Sequence, residues 1–396
     1  MKKLILLFSI IIFCSCSSDN NPQLQQQTCQ TPNVTVTDLA LTEATLNFTS
    51  LTSAEIEFEY GEEGFVQGSG NTIISSESMY VLDNLEVFKS YDVYAKSICT
   101  DIESDWFGPI NFITQCNVDN GIYEGNVTLT TQQEIDDFGA MCYSGINGYL
   151  DIRGVDDSDI VSLLPLINIS SVDKLIISLT SITSLKGINL NTLNESFQLI
   201  DNDLLIDFNG INIPSSINNI FLVAQNDALL SFEGLEELTY IYFLWIVNNN
   251  NLESFNGFNN ITSMDFSEFN GNASLLNFIG FDSLTSLKDI YVIDTYFENF
   301  LGLESLTNVA ESNLEFILIH SNEYLTSLNG LQNLVAAPKI TIGEERSSNE
   351  ARPNPLLSDF CALQNLFSNG VYGDVIIENN AYNPTVQDII DGNCSQ

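Results

Sequence analysis

His320 is the only histidine in 396 residues, and it limits the chemistry this chain can do. One imidazole rules out a two-histidine zinc site and any HExxH helix. A Ser-His-Asp arrangement needs only one, but no GxSxG elbow accompanies it. His320 instead falls in an apolar run, where a histidine is usually an ordinary strand residue. No P-loop, GxGxxG or CxxC occurs. Asp156-Asp157-Ser158-Asp159 offers oxygen ligands to calcium but lacks EF-hand spacing, and acidic loops of this kind are usually just solvated. Asp and Glu together number 52, so carboxylate pairs are common and none stands out as a glycosidase pair. These residue types point to no catalytic group, no metal and no cofactor.

The charge balance narrows the partners. Eleven Lys and Arg against 52 acids give a formal charge of −41. Nucleic acid is a poor ligand for such a chain, which has no basic footprint to displace counterions. An anionic lipid surface is equally unfavourable. The acidity serves solubility or attracts cations and basic partners.

The residues that could bind are placed by a repeat. Gly187, Gly210, Gly234, Gly257, Gly280, Gly302 and Gly330 recur at spacings of 23, 24, 23, 23, 22 and 28 residues. Each stands in one phrase, as in Leu229-Leu230-Ser231-Phe232-Glu233-Gly234-Leu235. Self-similarity at this period marks a solenoid, whose coils bury their apolar edges against one another. Short strands follow at Phe197–Leu199, Phe221–Val223, Leu244–Ile246, Ile317–Ile319 and Lys339–Ile342, with earlier ones near Leu150 and Ile176. Asn202, Asn226, Asn249, Asn272, Asp294 and Asn322 recur after them, suited to bonding the backbone of the next coil at each bend.

If Leu199, Val223, Ile246 and Ile319 point inward, the outward row holds Gln198, Leu222, Trp245, Glu268 and Leu318. Ile200, Ala224, Val247, Asn270 and His320 stand two residues further along that face. An apolar stripe with a central Trp suits a partner surface. A register shifted by one residue would instead put Trp245 in the core.

Both ends of the repeat carry cap signals. Thr131–Phe138 has an N-cap threonine and acids in its first turn, so a short helix is expected there. Ser358–Phe367 and the segment from Asn383 to Ile390 are expected as C-terminal cap helices. Gly343–Pro355 breaks the repeat and reads as a polar loop.

The first residues are a targeting signal. Lys2 and Lys3 precede the apolar run Leu4–Phe13, which is too short to span a bilayer. Phe13-Cys14-Ser15-Cys16 resembles a bacterial lipobox. That resemblance implies removal of residues 1–15 and acylation of Cys16. Ser17-Ser18-Asp19-Asn20 resembles the export signal of Bacteroidota surface lipoproteins, and residues 16–27 read as a flexible tether. A plain secretory signal is the alternative.

Residues 28–115 read as alternating strands punctuated by glycine. Leu82-x-x-Leu85 followed by Tyr91 resembles the tyrosine corner of fibronectin type III domains. Trp106-Phe107-Gly108-Pro109, then Phe112 and Thr114, resembles their last strand. Phe48 stands where that family usually has Trp. Residues 116–396 resemble leucine-rich repeats, and Gly148-Tyr149-Leu150-Asp151-Ile152-Arg153-Gly154 resembles the L domains of cell-surface receptors. The expected fold is therefore mainly β: a fibronectin type III sandwich, then a leucine-rich-repeat or L-domain-like parallel β solenoid with short capping helices. Its Phe-rich cores depart from the usual repeat, so turns or 3₁₀ segments are expected between strands.

Six cysteines remain beyond the signal, an even number in an exported chain. In the fibronectin topology Cys29 and Cys99 lie at one pole and can pair. Cys116 with Cys142 and Cys361 with Cys394 would staple the solenoid caps. The expectation for function is a non-catalytic lipoprotein, lipid-anchored in the outer membrane and exposed at the cell surface. Its solenoid would bind a protein or glycan, for adhesion or capture. A surface glycan hydrolase using solenoid carboxylates and a structural surface-layer component are the alternatives.

Overall fold

A computed structural model describes residues 29–49, 55–155, 157–309, 317–345 and 350–396. Cys16, the signal and the tether lie outside the described residues, as does Asp156. Two compact units form. One holds Leu46–Tyr80, Asp92–Asn111 and the described residues up to Thr35; the other holds Val36–Thr45, Val81–Tyr91 and Phe112–Gln396. Among the described residues no helix is long and apolar enough to cross a membrane.

The strands between Asn33 and Ile113 form a three-stranded sheet (Asn33–Thr37, Ala44–Thr49, Met79–Leu82) and a four-stranded sheet. The latter runs in the order Asn71–Ser75, Glu55–Glu62, Ser90–Ile98, Phe107–Ile113. Phe48 meets Phe58 edge-on at 4.8 Å, and both are buried. An aromatic thus fills the position where Trp was the family expectation. The Tyr91 hydroxyl accepts the Glu86 N–H at 2.9 Å, closing the expected corner. Cys29 and Cys99 are joined.

From Val127 onward the chain winds a parallel β solenoid. Its sheet runs in chain order from Val127–Leu129 through Tyr149–Arg153, Lys174–Ser178, Phe197–Ile200, Ser216–Ala224, Tyr240–Val247, Ser263–Asn270 and Ser286–Ile293. It continues through Ile317–His320 and Ala336–Ile342 to Val371–Ile377. Leu199, Val223, Ile246, Phe269 and Val292 point inward and are fully buried. Behind them Phe208, Phe232, Phe255, Phe278 and Phe300 form one column, with ring centroids 5.4–5.9 Å apart and planes within 23°. The phenylalanines of the glycine phrase build this column. Gly257 shows why glycine follows: its φ is +106°, and a Cβ would collide with the Phe232 carbonyl oxygen of the preceding coil.

A ladder of buried amides closes the opposite bend. The backbone N–H of Asn202 donates to Asn226 Oδ1, that of Asn226 to Asn249 Oδ1, and that of Asn249 to Asn272 Oδ1, at 2.9–3.0 Å. The expected member Asp294 is displaced from this ladder. It takes the positive-φ turn position instead (φ 52°), as Asp201, Gln225 and Asn248 do in their coils. Thr295 occupies the rung, its hydroxyl donating to Asn322 Oδ1 at 2.7 Å.

The caps follow the sequence signals. Gln132–Ala140 is a helix whose Thr131 hydroxyl accepts the Glu134 N–H, and Cys116 is bonded to Cys142. At the other end Cys361–Leu363 is a 3₁₀ turn running into the helix Gln364–Asn369, and Val386–Ile390 carries a full capping box from Thr385 and Asp388. Cys361 is bonded to Cys394. Between these helices Val371–Ile377 adds a strand to the sheet, which the reading of the terminus as helical caps missed. The described residues of the expected loop 343–355 are not all irregular: Glu344–Glu345 pairs with Glu350–Ala351, and Asn354 joins the amide ladder.

Candidate functional site

The outward sheet face is built by strand parity. In Tyr240–Val247, Leu244 and Ile246 are fully buried while Trp245 between them is only partly covered. Side chains alternate between faces along a strand, so Trp245 points outward. Parallel pairing in register then aligns one row across the coils: Ile176, Gln198, Leu222, Trp245, Glu268, Tyr291 and Leu318. Neighbours on this row sit about 4.8 Å apart. The register shifted by one, with Trp245 in the core, is not the one adopted.

A second row stands two residues back along each strand: Ile220, Phe243, Phe266 and Asp289. Phe243 and Phe266, absent from the row expected from sequence, lie two residues before Trp245 and Glu268, where strand parity puts them on the same face. Phe243 stacks on Trp245 with centroids 5.9 Å apart and planes 4° from parallel. Phe266 meets Phe243 edge-on at 6.3 Å and Tyr242 at 5.4 Å. The third row holds Ile200, Ala224, Val247, Asn270 and Ile293. An apolar and aromatic surface thus spans four strands, with Glu268 inside it between Trp245 and Tyr291 and Asp289 at one margin.

Leu318 and His320 keep the outward register, opposite Tyr291 and Ile293, but each is only 6% exposed. Their strand is in contact with the pairing strand Glu344–Glu345 of the excursion after Gly343. They are therefore corrected out of the accessible site, whose row ends at Tyr291. The His320 ring lies 3.1 Å from the Ser321 hydroxyl.

Around Trp245, two polar groups lack partners among the described residues. The Trp245 indole N–H is sealed from solvent with no acceptor among the described residues. Glu268 is partly buried, and desolvation raises its carboxyl above the ordinary range, with no charge or hydrogen bond to offset it. Further along, Lys288 Nζ meets Asp265 Oδ2 at 2.6 Å, and Tyr240 beside Asp265 is pushed up to about 12 by burial and that acid. Among the described residues no cluster of three or more His, Cys, Asp or Glu is placed to hold a metal ion.

No protein-family model matches this chain, and no curated protein matches it. Solved structures give partial likenesses. The FN1–FN3 domains of chicken CNTN1 align at 18% identity and a TM-score of 0.21, over 22% of this chain and 32% of that one, about a third of its length. A redesigned β-sandwich protein aligns at 22% identity and a TM-score of 0.21, over 23% of this chain and all of that one. Pectate lyase PelI from Erwinia chrysanthemi, solved with tetragalacturonic acid, aligns at 10% identity and a TM-score of 0.18, over 87% of this chain and 91% of that one. None of these similarities speaks to function. The chain is a mainly β protein with fibronectin type III-like neighbours and a parallel β solenoid.

Proposed function

We propose that this chain is a non-catalytic binding protein of the cell surface, and that the solenoid's outward face around Trp245 is its ligand site. The observation that supports this most is the composition of that face. Ile220, Leu222, Phe243, Trp245 and Phe266 all stand outward on adjacent strands of a rigid sheet. Partner surfaces concentrate such aromatic and aliphatic side chains at their centres. The ligand is a protein or a glycan. We further propose a leucine-rich-repeat or L-domain kinship for the solenoid, and a spacer role for the fibronectin-like strands. Cys16 would be the acylated residue that anchors the chain in the outer membrane. The three disulfides fit an oxidising compartment outside the cytoplasm.

The test is capture on arrays of glycans and extracellular proteins, using the lipid-free chain with its disulfides formed. Specific capture that Trp245→Ala abolishes supports the site. Capture unchanged by Trp245→Ala places the ligand elsewhere and refutes it.

A further inference from the structure

We propose that Glu268 receives a Lys or Arg side chain from a protein partner, with an apolar side chain of the same segment seated on Trp245 and Phe243. This rests on the outward face being the ligand site, and it names the ligand's chemistry. Glu268 sits one strand from Trp245 and one from Tyr291 in the central row. Among the described residues it has neither a hydrogen bond nor an ion pair. A partly buried carboxylate without a partner is unfavourable, and the protein has not supplied one.

The cation on the strand next to Glu268 is committed to another acid, as is Arg153 further along the sheet. Arg153 bonds Asp151 at 2.8 Å, and Lys288, on the neighbouring strand, bonds Asp265. A charge partner for Glu268 is therefore open to a ligand. A sugar hydroxyl can donate to the carboxylate but leaves its charge uncompensated, whereas an ammonium or guanidinium does both. The chain's −41 charge favours the approach of a basic segment and disfavours an acidic one.

The test pans a random peptide library on the full chain with its disulfides formed, followed by affinity measurement on wild type and Glu268→Gln. The isosteric Gln removes one charge of −41, so the general acidic field is unchanged. The expected result is enrichment of peptides with Lys or Arg next to an aromatic or aliphatic residue. Their affinity should fall about tenfold in Glu268→Gln, and by the same factor when the peptide's basic residue becomes Gln. The two changes together should cost no more than either alone. Peptides that bind Glu268→Gln equally well would show only the general field and overturn the proposal. So would enrichment without basic residues, or a library that yields no binder. If neutral glycans then bind in a Trp245-dependent way, the face stands as a ligand site and only the cationic partner falls.

Discussion

Replacing Asn249 with alanine tests what holds the coils in register. Its side chain is fully buried. Oδ1 accepts the Asn226 backbone N–H at 3.0 Å and its side-chain amide at 3.1 Å. Nδ2 donates to Val223 O at 3.0 Å, Val247 O at 3.2 Å and Asn272 Oδ1 at 3.2 Å. Alanine leaves the Asn226 N–H buried without this acceptor, at about 1–3 kcal/mol, and removes further bonds worth about 1 kcal/mol net. The expected loss is about 2–4 kcal/mol, or roughly 5–15 °C in melting temperature for a unit this long. Asn251→Ala is the control: among the described residues that exposed amide bonds Asp227 O alone, so the loss should stay under about 1 kcal/mol. Urea unfolding measures both, and hydrogen exchange at the Asn226 amide reports whether the damage is local. Repeat arrays lose cooperativity readily, so the local readout matters. Equal stability of the two variants would refute a structural role for the ladder.

Three other outcomes follow from the packing and charge. Gly257→Ala should cost about 2–4 kcal/mol in urea unfolding, because a left-handed residue is strained and its Cβ meets the Phe232 carbonyl. Cys361→Ser with Cys394→Ser opens a loop of sequence separation 33 and should lower stability by about 3–4 kcal/mol relative to the unreduced protein. Burial raises the Glu268 carboxyl, so the folded state binds its proton more tightly than the unfolded state. Its destabilisation is absent below the ordinary glutamate range and sets in as pH rises through the folded pKa. Glu268→Gln should therefore be more stable than wild type at neutral pH and match it in acid; a neutral-pH loss of stability would contradict this.

The solenoid was legible because its physics repeats. The close approach of coils demands glycine at one position, the bend demands a buried amide at another, and both recur at almost constant spacing. Legibility failed where the period failed. Asn322 and Asn354 are 32 residues apart across the excursion after Gly343, so Asn354 and Asn380 carry the ladder on without matching its spacing. Asp294 was misread because a bend residue and a rung are adjacent and both favour small polar side chains. The strand Val371–Ile377 lacks the glycine phrase, since no further glycine-marked coil packs beyond it. On the candidate face, alternation along one strand placed Trp245 outward and aligned Glu268 beside it. The cover over Leu318 and His320 was not readable, because it depends on where a distant segment returns.

The most direct test of the binding account is a paired measurement on the first ligand captured. Dissociation constants and melting temperatures should be compared for wild type, Trp245→Ala and Tyr324→Ala. Tyr324 is 48% exposed, stacks on Tyr296 and lies outside the sheet strands. Trp245 is partly buried against Phe243, so its truncation should cost about 1–2 kcal/mol of stability and still leave a folded chain. The account predicts that Trp245→Ala abolishes binding while Tyr324→Ala leaves it intact. Binding that survives Trp245→Ala, or is lost only with Tyr324→Ala, would contradict it.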